Sequence, residues 1–206
     1  MSEHGGHSPA DWDKRYASSD RIWSGEPNHA LTREVGAMAP GRALDVGCGE
    51  GADAIWLARH GWEVSAIDPS TVALERAQRA AADAGVEISW WLGQLVEHDL
   101  PLESFDLVSA FYVPLVRENA PVERLISLVA PGGTLLVVHH ADFADHAVAH
   151  GRDPEEMAGP DLVAEALADD DGWTVVVNER RERPATGTAG GYEGDDLVVK
   201  AVRAAS

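Results

Sequence analysis

Between residues 42 and 139 the sequence alternates strand-length apolar runs with helix-length amphipathic segments, and that alternation leaves few folds open. The runs at 42–46, 63–67, 86–92, 105–111 and 134–139 are strand-like, with helical patterns at 52–60, 70–84 and 118–129 among them. Ser70 stands where an N-cap belongs, and Gly85 stands just past the last helical residue. Pro131-Gly132-Gly133 stops the third helix. Such alternation builds a mostly parallel sheet with helices on both faces. A helical segment at 161–167 precedes two further strand-like runs, 173–178 and 197–202. Only a polar, glycine-rich stretch separates these two, so they read as an antiparallel hairpin at one edge. The expected fold class is α/β, doubly wound, with a mostly parallel seven-stranded sheet and a terminal antiparallel hairpin.

Ahead of this core, Ser8-Pro9 opens a helix to about Tyr16. Residues 17–27 are irregular, and Asn28 caps a second helix to about Met38. The expectation is one domain over 1–206: a disordered tail at 1–8, a helical lid at 9–40 and a catalytic core at 41–206. Lys and Arg total 16 against 35 Asp and Glu, a net charge of −19. A field of that sign argues against nucleic acid or an anionic membrane as partner. Cys48 is the one cysteine, which excludes an internal disulfide. Residues 1–8 hold no apolar leader core and no run approaches a membrane span, so the expected location is cytoplasmic, as a monomer or homodimer.

The run Ala43-Leu44-Asp45-Val46-Gly47-Cys48-Gly49-Glu50-Gly51 ends the first strand in a glycine-rich turn. In open α/β sheets ligands bind at the carboxyl ends of strands. Asp45 sharpens the reading. A carboxylate there repels a pyrophosphate and attracts an ammonium group. Asp68, at the end of the second strand, can accept hydrogen bonds from a ribose diol. An amino-acid-bearing nucleoside without phosphates suits both acids, and S-adenosylmethionine is such a ligand. A nicotinamide dehydrogenase is disfavoured by Asp45 and by the G-x-G-x-G spacing.

The segments Ala43 to Gly51, Ile67-Asp68-Pro69-Ser70, Phe105-Asp106-Leu107-Val108 and Ala130-Pro131-Gly132-Gly133-Thr134 together resemble the class I S-adenosylmethionine-dependent methyltransferases. Their fold is Rossmann-like. Trp12-Asp13-Lys14-Arg15-Tyr16 and Trp23-Ser24-Gly25-Glu26-Pro27-Asn28 resemble a narrower branch, the tellurite-resistance and thiopurine methyltransferase-like enzymes of small molecules. In that branch the N-terminal segment closes over the cofactor. The resemblance implies that Asp45, Gly47, Cys48, Gly49 and Gly51 hold the methionine moiety and Asp68 the ribose. It implies that Pro69 and Ser70 flank the adenine. Gln94 stands where the family usually has Asp, so adenine is anchored by the Gln94 amide or by the Leu95 backbone. Arg15 reaches the methionine carboxylate, and Trp23 and Phe111 pack the cofactor.

The acceptor belongs beyond the fourth and fifth strands. Tyr112 ends one; His139 and His140 end the other, followed by Asp142, His146 and His150. Strand alternation sends His139 and His140 to opposite faces. The expected general base is His140, with His139 and His146 as alternatives and Tyr112 pointing at the acceptor. Glu26, Tyr112 and Asp142 are the expected substrate contacts. A divalent metal on His140, Asp142 and His146 is the other reading of this cluster. Trp90 and Trp91 are expected as core and helix-covered. The expected reaction is methyl transfer to a small-molecule hydroxyl, a sugar or other polyhydroxylated metabolite being one option. A thiol, thiopurine or tellurite-like acceptor is the alternative, and a cofactor-binding protein without turnover is the reading outside enzymology.

Overall fold

The computed structural model describes residues 8–149, 151–183 and 194–205. His4, His7, His150 and, Ser8 apart, the expected tail lie outside the described residues, as does the central part of the glycine-rich stretch. In chain order the elements are α1 (Pro9–Ala17), α2 (His29–Val35), β1 (Arg42–Val46), α3 (Ala52–Arg59), β2 (Glu63–Asp68), α4 (Thr71–Ala84) and β3 (Ser89–Leu92). There follow β4 (Phe105–Phe111), β5 (Leu115–Val116), α5 (Pro121–Leu128), β6 (Val129–His140), α6 (Phe143–Ala149), β7 (Met157–Ala158), α7 (Pro160–Ala168), β8 (Trp173–Glu182) and β9 (Asp195–Arg203).

Seven strands form one sheet in the order β3-β2-β1-β4-β6-β9-β8, and β5 and β7 make a separate two-stranded ribbon. The first five sheet strands are parallel; β9 runs antiparallel to both β6 and β8. Strand order reverses between β1 and β4, so their carboxyl ends open a crevice at the switch point. Alternation along each strand divides the core. Leu44, Val46, Val108, Leu135 and Val137 pack with α5 and α7 on one face. Ala43, Leu107, Leu136 and Val138 pack with α2 and α3 on the other.

Several boundaries differ from the sequence reading. The third strand begins at Ser89, and as an edge strand it leaves Trp91 39% exposed instead of helix-covered. Pro131-Gly132-Gly133 lies within β6: the register jumps from Phe105↔Val129 to Leu107↔Thr134, and the extra residues are taken up as an irregularity. Pro121, at the first turn of α5, sets that helix later than expected. Asn28 precedes α2 but does not cap it with its side chain, which is committed elsewhere. Ser8 and Ser70 do cap, accepting from Asp11 and Ala73 N–H groups. The last two strands are longer than expected, and this brings Asp196 beside His140 in the β6–β9 register.

Candidate active site

A cavity of about 640 Å³ occupies the switch-point crevice and runs from Asp68 to Arg183. One end is built from acids. Asp45 ends its side chain on the face of β1 turned toward α3 and is 2% exposed. Asp53, in the first turn of α3, is also buried and accepts from the Asn28 backbone N–H and amide at 2.6 Å each. Asp68, at the end of β2, accepts from Gly49 N–H at 2.9 Å and Ser70 N–H at 2.8 Å. Among the described residues, Asp45 Oδ2 is buried with no hydrogen-bond partner. Burial, then the neighbouring Asp53 and Asp68 charges, pushes the Asp45 carboxyl well above the usual carboxylate range. Burial likewise lifts Asp68, to about 6. The same burial and the Asp45 and Asp68 charges keep the Cys48 thiol protonated.

The glycine turn between β1 and α3 spends its donors internally. Gly47 and Cys48 N–H groups both go to the Ile67 carbonyl, Gly49 N–H to Asp68, and Gly51 N–H to the Cys48 carbonyl. It is therefore not a phosphate cradle, which needs free N–H groups. Gly49 takes φ +53, and a Cβ there would stand 2.9 Å from the Tyr16 hydroxyl oxygen. Only glycine lets the N-terminal segment lie this close. Gly51, at φ +84, lies outside the cavity lining, unlike the other expected turn residues, and a Cβ added there would stand 2.8 Å from Ala77 Cβ, so its bareness lets α4 approach.

The N-terminal segment is fastened over the acidic end. Glu50 accepts from Ile22 and Trp23 N–H groups and pairs with Arg76 at 2.8 Å. Arg76 also donates to the Tyr16 and Ser19 carbonyls. Asp13 accepts from the Ser70 hydroxyl at 2.6 Å, so Ser70 acts as a fastening outside the cavity lining and not as an adenine contact. Trp23 Nε1 donates to the buried Tyr16 hydroxyl, and the Arg15 guanidinium lies over the Trp12 and Trp23 rings.

The far end carries the cations and imidazoles. Tyr112 sits at φ +55, a conformation that costs a bulky residue about 1–3 kcal/mol and turns its ring into the crevice. Its hydroxyl donates to Asp196 at 2.8 Å. Arg183 pairs with Asp196, lies over the Tyr112 ring and donates to His140 Nδ1 at 2.8 Å. His139 and His140 both line this end, with ring centroids 5.2 Å apart. The His140 backbone N–H donates to His139 Nδ1 at 2.9 Å. Burial first, then the His140, His146, Arg152 and Arg183 charges, lowers the His139 ring to about 3. His139 is thus a neutral ring with its hydrogen on Nε2, a donor toward the cavity and not the alternative base. His146, on α6, has its ring centroid 4.2 Å from that of His140, the two planes tilted by 42°.

Of the expected residues, Arg15, Trp23, Glu26, Asp45, Gly47, Cys48, Gly49, Asp68, Pro69, Gln94, Leu95, Phe111, Tyr112, His139, His140 and His146 all line the one cavity. Asp142 is exposed and outside the lining, so it is not a substrate contact. No group of three or more His, Cys, Asp or Glu among the described residues is placed to hold a metal ion. Of the expected set, Asp142 is exposed and outside the lining, and a guanidinium occupies His140 Nδ1. Tyr16, Asp53, Arg152, Arg183 and Asp196 also line the cavity and were not anticipated. Arg152 alone had a sequence signal: it is the only Lys or Arg between Arg124 and Arg180.

Residues 43–133 match the family described as a methyltransferase domain. The chain is 35% identical over 122 residues to an uncharacterized methyltransferase of Mycobacterium tuberculosis, covering 58% of this chain and 61% of that protein. It is 32% identical over 114 residues to the ribosomal RNA small subunit methyltransferase C of Alcanivorax borkumensis, covering 50% of this chain and 34% of that one. It thus spans between about a third and three fifths of the length of these curated relatives. In fold it resembles the N-methyltransferase NodS of Bradyrhizobium japonicum, solved with S-adenosyl-L-homocysteine. The TM-score is 0.73 at 20% identity, over 95% of this chain and 98% of that one. Matched segment, sheet order and switch-point cavity agree: over the segment that builds the crevice the chain is similar to methyltransferase domains, and its fold is that of NodS.

Proposed function

We propose that the protein transfers the methyl group of S-adenosylmethionine to a small-molecule acceptor bound in the same cavity. The observation that carries this is Asp45: a buried carboxylate with an unpartnered oxygen, beside a turn whose Gly47, Cys48, Gly49 and Gly51 N–H groups are already used. Three buried acids facing one cavity call for a cationic ligand. The residues fit that cofactor. Asp45 and the turn would take the ammonium, Asp68 the ribose hydroxyls, Arg15 the carboxylate, and Pro69, Gln94 and Leu95 the adenine edge. Trp23 and Phe111 would cover it. When bound, the cofactor supplies an electrophilic methyl on a positively charged sulfur.

The chain's own part is alignment and exclusion of water. The fastened N-terminal segment closes one side, and Phe111, Tyr112 and Val113 wall the other. A hydroxyl acceptor needs a proton acceptor. His146 serves by its place in the lining, and His140 serves once Arg183 leaves Nδ1. A sugar or other polyhydroxylated acceptor would bond Glu26 and the His139 Nε2–H. The commitment of Nδ1 on both His139 and His140 favours a second reading, a thiol or other soft acceptor that ionises without help. The charge of −19 and a cavity of about 640 Å³ support a small metabolite over nucleic acid.

Titration calorimetry with S-adenosylmethionine, S-adenosylhomocysteine and NADH tests the donor. Micromolar binding of the first two and none of the third is expected; the reverse pattern removes the reading. A base at His140 or His146 predicts that Gln at one of them lowers the rate with a hydroxyl acceptor and abolishes the acidic limb of the pH–rate profile, where the base takes up a proton.

A further inference from the structure

Three of the described arginines line the cavity, and of these Arg183 is neutralised by Asp196 while Arg15 lies over the Trp12 and Trp23 rings. Among the described residues Arg152 forms no ion pair, and its Nε is buried without a hydrogen-bond partner. It follows Gly151 just after α6, and its backbone N–H is tied to the Ala147 carbonyl at 2.9 Å, so its position is set by the helix end. Its side chain lines the cavity at the end that holds His139, His140 and His146. Burial first, and then the charge of Arg15, lowers its guanidinium to about 10. A cation desolvated beside another cation, in a chain of net charge −19, is a costly arrangement with no internal return. The cavity is therefore bipolar, with unpartnered carboxylate at the Asp45 end and unpartnered guanidinium at the histidine end. The cofactor's single carboxylate accounts for Arg15 and leaves Arg152 without a counter-ion. The His139 ring, held neutral with Nε2–H as donor, stands at the same end.

Resting on the methyl-transfer reading, we propose that the acceptor is itself an anion. A carboxylate or phosphate group of the acceptor is seated on the Arg152 guanidinium, with the His139 Nε2–H as a second donor, while its nucleophilic atom faces the cofactor. A planar fork of N–H donors matches either oxyanion bidentately, so Arg152 sets acceptor specificity by charge as well as by shape.

The test is titration of the protein saturated with S-adenosylhomocysteine with three probes of similar size: benzoate, phenyl phosphate and neutral benzyl alcohol. Benzoate or phenyl phosphate is expected to bind at least tenfold more tightly than benzyl alcohol, and the tighter of the two identifies the acid group. Arg152→Gln should remove that preference and change S-adenosylhomocysteine affinity less than twofold. Arg15→Gln should do the opposite, weakening the nucleoside and sparing the probe. Arg152→Lys, which keeps the charge without the fork, should retain part of the preference and shows that a loss in Arg152→Gln is not misfolding. Equal binding of all three probes overturns the proposal. So does an Arg152→Gln variant that loses the nucleoside as strongly as the anion, which would assign Arg152 to the cofactor. Failure of S-adenosylhomocysteine to bind the unaltered protein overturns the donor reading, and this inference with it.

Discussion

Asp45 carries the sharpest consequence of any single side chain. Its carboxyl is buried, unpartnered at Oδ2 and flanked by two other acids. Asp45→Asn removes a desolvated charge held beside two other acids and should stabilise the ligand-free protein by about 1–3 kcal/mol. The same change should weaken S-adenosylhomocysteine at least tenfold. Urea unfolding and calorimetry on one preparation check both; a variant that loses stability and keeps binding would contradict the cation site. Asp68 adds a pH effect. Its folded value, about 6, lies above the ordinary 3.8, so the folded chain holds the proton more firmly than the unfolded chain. Its contribution to stability is therefore present below about pH 4 and lost as pH rises to about 6. His139 runs the other way: with a folded value of about 3 against 6.5, it contributes above pH 6.5 and loses that contribution as pH falls. The difference in unfolding free energy between Asp68→Asn and the unaltered protein should grow between pH 4 and 6 and level off above. A flat difference would mean that Asp68 is not desolvated.

At the level of elements, the lid is held by few bonds. Glu50 satisfies two backbone N–H groups and Arg76, and Arg76 satisfies two carbonyls. Glu50→Ala strands the two N–H groups and the Arg76 guanidinium, and breaking a largely buried pair costs about 3–5 kcal/mol. Residues 9–27 should then become protease-sensitive, and cofactor affinity should drop, with the sheet intact by circular dichroism. Protection unchanged from the parent would mean that α1 docks by apolar contact alone. Glu50 could be read from sequence only as part of a glycine turn. Its bonding depends on Arg76, a helix away, and on an irregular segment with no periodic pattern. The strand β1, its turn and α3 were legible because their signals are local: an apolar run, glycines, then a helical period. Cap residues Ser8 and Ser70 were legible for the same reason. The Arg183–Asp196–His140 network was not, since it depends on the register between β6, β8 and β9 across more than forty residues.

For the molecule as a whole, the fold class followed from alternation, and the sheet order confirms it. Ligand linkage then gives a global prediction. S-adenosylhomocysteine at 100 times its Kd should add about 2.7 kcal/mol. In a chain of this size that is about 5–10 °C in Tm by calorimetric scan. No shift at saturating ligand would mean that the nucleoside binds the unfolded chain as well, or not at all. The place of β9 carries a different kind of consequence. The last strand in sequence is inserted between β6 and β8, and it brings Asp196 with it. A ribosome extends the chain from its N-terminus, so the acidic half of the crevice can take shape while the partner of Arg183 is still unmade. The end of the cavity proposed for the acceptor is therefore completed after the acidic end. A nascent chain stalled before Asp195 would hold the acidic half of the crevice and leave the other half open along the bare edge of β6.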